Sequence, residues 1–127
     1  MAGTAAKKLP QEPPSLERAV EVRDVVHGLR RYGLTQAEIG TATGAKMRAV
    51  RNWERTSSTR RRTEDRLRDL REIVLMLQRT LSPRGVGQWL RARNRVLQGR
   101  RPLEALAAGD VEAVREAAEA FVEGSYV

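Results

Sequence analysis

Apolar residues recur every three or four positions along most of the chain, and no segment alternates apolar and polar residues over the length of a strand. This spacing is typical of helices with one buried face, so the sequence predicts an all-α protein. The start of the chain differs, because it is rich in Ala, Gly, Lys and Pro and holds few apolar side chains. We expect residues 1–14 to form a disordered tail.

The first predicted helix covers residues 16–32. Ser15 is its expected cap, and Gly28 and Gly33 bracket its expected end. Its apolar stripe comprises Leu16, Ala19, Val22, Val26 and Leu29.

Two short helices joined by a tight turn are predicted next. Thr35 and Glu38 have the spacing of a capping box and mark the start of the second helix, which Gly44 should end. The third helix is predicted over residues 46–55, so the pair forms a helix-turn-helix arrangement. The inner face of this third helix should carry Val50 and Trp53.

A polar and basic connection over residues 56–62 is the best candidate for a boundary between units. Thr63 is the expected cap of a longer helix, whose apolar positions alternate spacings of three and four as in a coiled-coil seam. The seam is short, and it fits a core face and a dimer contact equally well. Its residues are Leu67, Leu70, Val74, Leu77 and Leu81.

Three further helices are predicted in the second half of the chain. Ser82 and Pro83 begin the first of them, Pro102 begins a short second one after a loop at residues 94–101, and Gly109 with Asp110 precedes the last, which Gly124 ends. Three groups of apolar residues should face inward on them: Val86, Trp89 and Leu90; Leu103, Leu106 and Ala107; and Val111, Val114, Ala118, Phe121 and Val122. The predicted organisation is a tail (residues 1–14), a helix-turn-helix unit (15–62), a connecting helix (63–83) and a C-terminal helical unit (84–127).

The charge of the chain gives information about its binding partners rather than about its fold. The net charge of +8 and the pI near 11.1 are typical of a protein that binds a polyanion, and nucleic acid is the leading candidate. Residues 102–127 differ, because they hold only one of the 24 basic residues but six of the 16 acidic ones. The sequence therefore indicates two surfaces for two unlike partners.

Other classes of function are disfavoured. The chain has no cysteine, no signal-like stretch and no long uncharged apolar run, which indicates a cytoplasmic protein without a membrane partner. It shows no arrangement of nucleophile, base and oxyanion donors, so we expect neither an enzyme nor a cofactor or metal site.

The helix-turn-helix segment resembles the Xre type. The resemblance rests on Leu34-Thr35-Gln36, Ile39-Gly40, Gly44, Val50 and Trp53-Glu54. It implies that the third helix enters the major groove of DNA, with Gln36, Lys46, Met47, Arg48, Arg51 and Asn52 as contact residues. Their chemistry agrees, since arginine pairs with guanine, asparagine pairs with adenine, methionine can contact a thymine methyl and lysine neutralises phosphate. Lys46 and Gly40 depart from the family pattern, and we expect both departures to loosen the unit.

Residues 84–127 resemble the toxin-binding domain of Xre/MbcA/ParS-type antitoxins. The matching residues are Trp89-Leu90, Asn94, Leu97, Gly99-Arg100, Pro102-Leu103, Leu106, Gly109-Asp110, Val114 and Gly124-Ser125-Tyr126. The resemblance implies a RES-domain toxin partner, an enzyme that degrades NAD, whose active site the C-terminal end enters. The expected toxin contacts are Trp89, Glu123, Gly124, Ser125, Tyr126 and Val127, with Tyr126 as an aromatic anchor and the terminal carboxylate as an anion. Trp89 shares a helical face with Val86 and Leu90, and this spacing favours a core position for it.

Two hypotheses follow. In the first, the protein is an antitoxin that neutralises a RES-domain toxin and represses its own operon by binding DNA. In the second, it is a stand-alone dimeric repressor whose C-terminal half serves only dimerisation. Both predict a homodimer on an inverted-repeat operator, because one recognition helix reads only a few base pairs.

Overall fold

The computed structural model describes residues 13–56 and 61–124, and over these ranges it contains seven α-helices, one short 3-10 turn and no strand. The all-α prediction is therefore confirmed. In chain order the helices are α1 (Val22–Arg30), α2 (Gln36–Thr43), α3 (Met47–Thr56), α4 (Arg61–Leu77), α5 (Pro83–Arg91), α6 (Pro102–Ala107) and α7 (Val111–Glu123), and the 3-10 turn is Arg95–Leu97.

Local signals in the sequence mark several of these helix ends correctly. The Thr35 hydroxyl accepts a hydrogen bond from the Glu38 backbone N–H, and the Glu38 carboxylate accepts one from the Thr35 backbone N–H. Gly44 ends α2 in the left-handed conformation, with φ of 77°. Ser82 caps α5 by accepting a hydrogen bond from the Gly85 N–H at 3.1 Å. These ends were predictable because each depends only on neighbouring residues.

The prediction of the first helix is wrong at its start, because α1 begins at Val22 rather than at residue 16. Residues 15–19 form a separate turn, and Glu21 is extended, with ψ of 146°. Leu16 nevertheless packs against Gly28 inside α1, and the helix ends at Arg30, between Gly28 and Gly33 as predicted. The turn and the helix thus bury their apolar residues on the same side. Their spacing in the sequence is therefore the same as that of one continuous helix.

The long helix α4 also begins earlier than predicted. It starts at Arg61, so Thr63 lies within its first turn and is not its cap. The seam residues of α4 are core residues of this chain, since Leu67, Leu70, Val74 and Leu77 are all buried. The structure therefore supports core packing for these four residues, and the dimer contact stays a prediction.

The second half follows the predicted order of helices. Leu103 and Leu106 face inward on α6 as expected, but Ala107 is exposed and the prediction for it is wrong. Ala105 takes the buried position instead, because α6 ends at Ala107 and its last residue turns toward solvent. None of the helices in the described ranges is long and apolar enough to cross a lipid bilayer.

One hydrophobic core joins the two halves of the chain. It extends from Leu16 to Ala118 and includes residues of both predicted units. The most extensive contact between helices is that of α2 with α6, while α4 packs against α1, α2 and α7. The first helix of the helix-turn-helix pair is thus held by the C-terminal half. The division of the chain near residues 56–62 stays a prediction from its sequence.

Candidate functional site

The third helix presents one polar face to solvent. Val50 and Trp53 are buried on its inner side, 0% and 4% exposed. On the outer side, the predicted DNA contacts Met47, Arg48, Arg51 and Asn52 are all exposed, and Lys46 is exposed immediately before the helix. The inner side thus packs against the core, while the outer side chains project into solvent.

A shallow groove, here called the α3 groove, runs beside this face toward the start of α4. Small and apolar side chains from Ala45, Ala49 and Trp53 contribute to its lining. The structure brings four of the predicted DNA contacts together here, whereas Met47 and Gln36 do not line it. The polar and basic residues along the groove are Lys46, Arg48, Arg51, Asn52, Arg55 and Thr63.

Gln36 lies on α2 and is tied to α3 by a hydrogen bond. Its amide Nε2 donates to the Glu54 Oε1 at 3.0 Å, and the same oxygen accepts from Arg30 Nη1 of α1 at 3.1 Å. Glu54 thus joins three helices of the predicted DNA-binding unit. Sequence reasoning matched Glu54 to the family motif but gave it no role, and it missed Arg30.

The turn between α2 and α3 is tight because of Gly40. A Cβ at this position would lie 2.6 Å from the carbonyl oxygen of Ala45, closer than side chains approach backbone oxygens. The Ala45 N–H also donates to the Gly40 carbonyl at 2.8 Å. The expectation that Gly40 loosens the unit is therefore wrong, since its missing side chain allows the turn to close on α2.

Glu38 carries a second set of contacts beside its capping role. Arg91 of α5 donates from Nε to the Glu38 Oε2 at 2.6 Å and from Nη2 to Oε1 at 2.9 Å. These hydrogen bonds lower the pKa of the Glu38 carboxyl. A fork pair of this kind is geometrically specific, and it fixes the C-terminal half against the start of α2.

Glu38→Gln should lower the free energy of unfolding at neutral pH by about 1–2 kcal/mol, because it removes a charge-assisted pair that is partly open to solvent. The pKa of Glu38 is lowered in the folded state, so its contribution is present above the ordinary pKa of a glutamate and is lost as the pH falls through the folded value. Denaturant unfolding from neutral to acidic pH should therefore show the difference between wild type and variant shrinking in acid. Glu119→Gln, at an exposed position of α7, is the matched control. A difference that stays constant over this range would contradict the prediction.

The C-terminal face is built around α7. Gly124 ends this helix in the left-handed conformation, with φ of 71°, and Glu123 before it is exposed. Trp89 of α5 is half-buried and packs against Phe121, with ring centroids 6.3 Å apart. The structure thus brings Trp89 close to the end of α7. Three expected toxin contacts, Ser125, Tyr126 and Val127, lie outside the described residues.

The one arginine of α7 is paired with carboxylates, and this increases the acidic character of the helix surface. Arg115 pairs with Glu112 on its own helix and reaches α4, where Glu72 lies at 3.0 Å and Asp69 at 3.7 Å. Its charge is therefore neutralised within the protein. The outer face of α7 carries the exposed carboxylates of Glu112, Glu116, Glu119 and Glu123.

Other arginines also act within the fold. Arg66 of α4 donates to the carbonyl oxygens of Leu106 and Ala107 at the end of α6 and of Ala42 near the end of α2. Arg68 and Arg71 donate to carbonyl oxygens of the turn before α1. Sequence reasoning missed these roles, because their acceptors are backbone atoms far away along the chain. The net positive charge thus overstates the surface available to a polyanion.

No model of a known protein family matches the chain. A relative from Mycobacterium tuberculosis (strain ATCC 25618 / H37Rv), a probable mycobacterial cidal antitoxin, is 48% identical over 113 residues, which are 89% of this chain and 97% of the relative. The chain belongs to the mycobacterial cidal antitoxin family. The antitoxin also resembles a chain of the crystal structure of the M. tuberculosis MbcT-MbcA toxin-antitoxin complex. That match has a TM-score of 0.72 and 27% identity, and it covers 86% of the antitoxin and 100% of that chain.

Membership of this family confirms the resemblance of the antitoxin's sequence to MbcA-type antitoxins. It also confirms that the antitoxin is not an enzyme, because members of the family act without catalysis.

Proposed function

We propose that this antitoxin neutralises a cognate RES-domain toxin that degrades NAD, by placing residues 124–127 in the toxin's active site. The observation that carries the proposal is the 48% identity to a probable mycobacterial cidal antitoxin over nearly the whole of both chains. The motifs of residues 84–127 support the choice of toxin class. The exposed end of α7 beside Trp89 offers an accessible point from which the last residues could reach a partner.

Co-expression with the toxin tests this proposal. Deletion of residues 124–127 should abolish rescue of growth and leave NAD consumption by the toxin uninhibited, because the segment that blocks the active site is gone. Arg48→Ala, on the exposed face of α3, is the matched control and should rescue as wild type does. Full rescue by the shortened antitoxin would contradict the plug, whereas a failure of the full-length protein to rescue would favour the stand-alone repressor.

We also propose that the antitoxin represses its own operon through the exposed face of α3. The support is the exposure of Met47, Arg48, Arg51 and Asn52 on a helix whose other side is buried, next to the basic residues of the α3 groove. Arginine can donate two hydrogen bonds to guanine and asparagine can pair with adenine, whereas Lys46 would contact phosphate. The proposal includes a homodimer on an inverted-repeat operator, because two recognition helices about 34 Å apart match successive turns of the major groove.

Arg48→Ala should weaken binding to the preferred operator by about 1–3 kcal/mol and relax the preference at one base pair, because it removes one base contact. Titration of labelled duplexes, with the operator and with scrambled sequences at fixed salt, measures both effects. Arg79→Ala removes an exposed arginine outside the α3 groove and should leave the preference unchanged. An equal loss on every duplex would instead make Arg48 a phosphate contact.

A further inference from the structure

Glu54 occupies a junction between α3 and the two helices that precede it. Its side chain is 16% exposed, and its Oε1 accepts from both Gln36 and Arg30. Arg30 is on the outer side of this junction, with a side chain 43% exposed, and it supplies the opposite charge. Glu54 is therefore an ionic and hydrogen-bonded anchor placed directly against a predicted DNA contact.

The chemistry of the two groups determines which way the Gln36 amide points. A carboxylate can only accept hydrogen bonds, so Gln36 must turn its NH₂ group toward Glu54 and its carbonyl oxygen away. One N–H is used in this bond, which leaves the second N–H and the carbonyl oxygen. An amide that offers one donor and one acceptor side by side is complementary to the N7 acceptor and N6 donor of adenine.

The position of Gln36 matches such a role. It is the first residue of α2, and it meets α3 at Glu54, one turn after Arg51 on the same helix. Arg51 is exposed on the face proposed to read DNA. Gln36 therefore borders that face, at the end away from Met47.

We propose that Glu54 is a positioning residue, which holds the Gln36 amide in the orientation that reads an adenine at the edge of the operator. The inference rests on the proposed DNA-binding function and deepens it. Without Glu54 the amide can rotate, so that its donor and acceptor no longer have a fixed order relative to the base. Glu54 itself makes no contact with DNA, and it acts only through Gln36.

Selection of duplexes from a random pool by the full-length protein tests the inference. For wild type we expect a preferred operator with an adenine at one outer position. Glu54→Gln keeps the size of the side chain but can donate as well as accept, so the amide of Gln36 loses its single orientation. We expect the variant to lose about tenfold in affinity for this operator, the effect of one hydrogen bond, and to lose the preference for adenine, with little change on unrelated duplexes.

A double-mutant cycle separates positioning from a merely structural role. In a Gln36→Ala background, Glu54→Gln should have no further effect on operator affinity, because the residue it acts through is gone. Arg30→Met removes the ion pair but leaves the bond between Gln36 and Glu54, so it should keep the adenine preference even if it lowers the melting temperature. Equal losses from Glu54→Gln in both backgrounds, or loss of the preference in Arg30→Met, would overturn the inference while DNA binding stands. If wild type binds no duplex, the proposed DNA-binding function fails and the inference fails with it.

Discussion

Leu70→Glu should unfold the protein rather than yield folded monomers. Leu70 is 0% exposed in the middle of α4, and the core around it contains residues from both halves of the chain. A carboxylate at this position would be buried among apolar side chains without a partner, at a cost of several kcal/mol. Because a small domain is stable by only about 5–15 kcal/mol, this substitution removes much or all of the free energy of unfolding.

Circular dichroism and sedimentation velocity together check this expectation. Leu70→Glu should lose helical signal and the cooperative thermal transition. Leu70→Ala should fold with a free energy of unfolding lower by about 2–5 kcal/mol, the usual cost of truncating a core leucine. Val20→Glu introduces the same charge at a position 71% exposed and should change little. If the wild type is a dimer and the Leu70→Glu protein is a folded monomer, the seam of α4 is instead a dimer interface.

The elements that the sequence predicts well are those specified by their own neighbours. The capping box of Thr35 and Glu38, the left-handed Gly44 and the capped start of α5 each need only a few consecutive residues. The exposed face of α3 is predictable for the same reason, since the spacing of Val50 and Trp53 determines which side chains are left outside. This is why most of the predicted DNA contacts lie together.

The start of α1 was not predictable from spacing, because its limit is set by tertiary contacts. The carbonyl oxygens of Leu16 and Glu17 accept hydrogen bonds from Arg71, and that of Val20 accepts one from Arg68. These donors satisfy backbone groups that a continuous helix would have satisfied internally, so the chain can stay non-helical here without leaving them unpaired. Helical spacing alone cannot distinguish one continuous helix from a turn followed by a helix.

The candidate site shows the same difference between features that depend on neighbouring residues and features that depend on residues far away in the chain. Each of the exposed residues on α3 could be assigned from local pattern and family resemblance, but the residues that hold α2 in place could not. Arg91 is 53 residues from Glu38 along the chain, and Arg66 is 40 residues from Leu106. From the sequence alone, an arginine that caps a distant helix cannot be distinguished from an arginine that binds DNA.

Arg66→Ala should lower the free energy of unfolding by about 2–4 kcal/mol, a large effect for one arginine. The Arg66 guanidinium donates to carbonyl oxygens near the ends of both α2 and α6, which have no later N–H within their own helices to pair with. Hydrogen bonds to a charged group contribute about 1.5–3 kcal/mol, and a cation at a helix C-terminus adds about 0.3–1 kcal/mol. Removing the side chain therefore takes a donor from the carbonyl oxygens of Ala42 and Ala107, whereas that of Leu106 keeps a hydrogen bond from the Gly109 N–H.

Denaturant unfolding of three variants separates this capping role from charge alone. Arg62→Ala removes an exposed arginine one turn earlier on α4 and should change the free energy of unfolding by less than about 0.5 kcal/mol. Arg66→Lys keeps the charge but not the planar fork, so it should recover only part of the loss. Equal effects of Arg66→Ala and Arg62→Ala would show that the carbonyl contacts are not stabilising.

The same variant tests whether the two halves unfold as one. Arg66 joins the end of α2 to the end of α6, but the packing of α2 on α6 and the pair of Glu38 with Arg91 remain when Arg66 is removed. Arg66→Ala should therefore keep a single transition by both circular dichroism and tryptophan fluorescence, which reports on Trp53 in one half and Trp89 in the other. Two separate transitions would mean that the guanidinium of Arg66 is the main connection between the two halves of the chain.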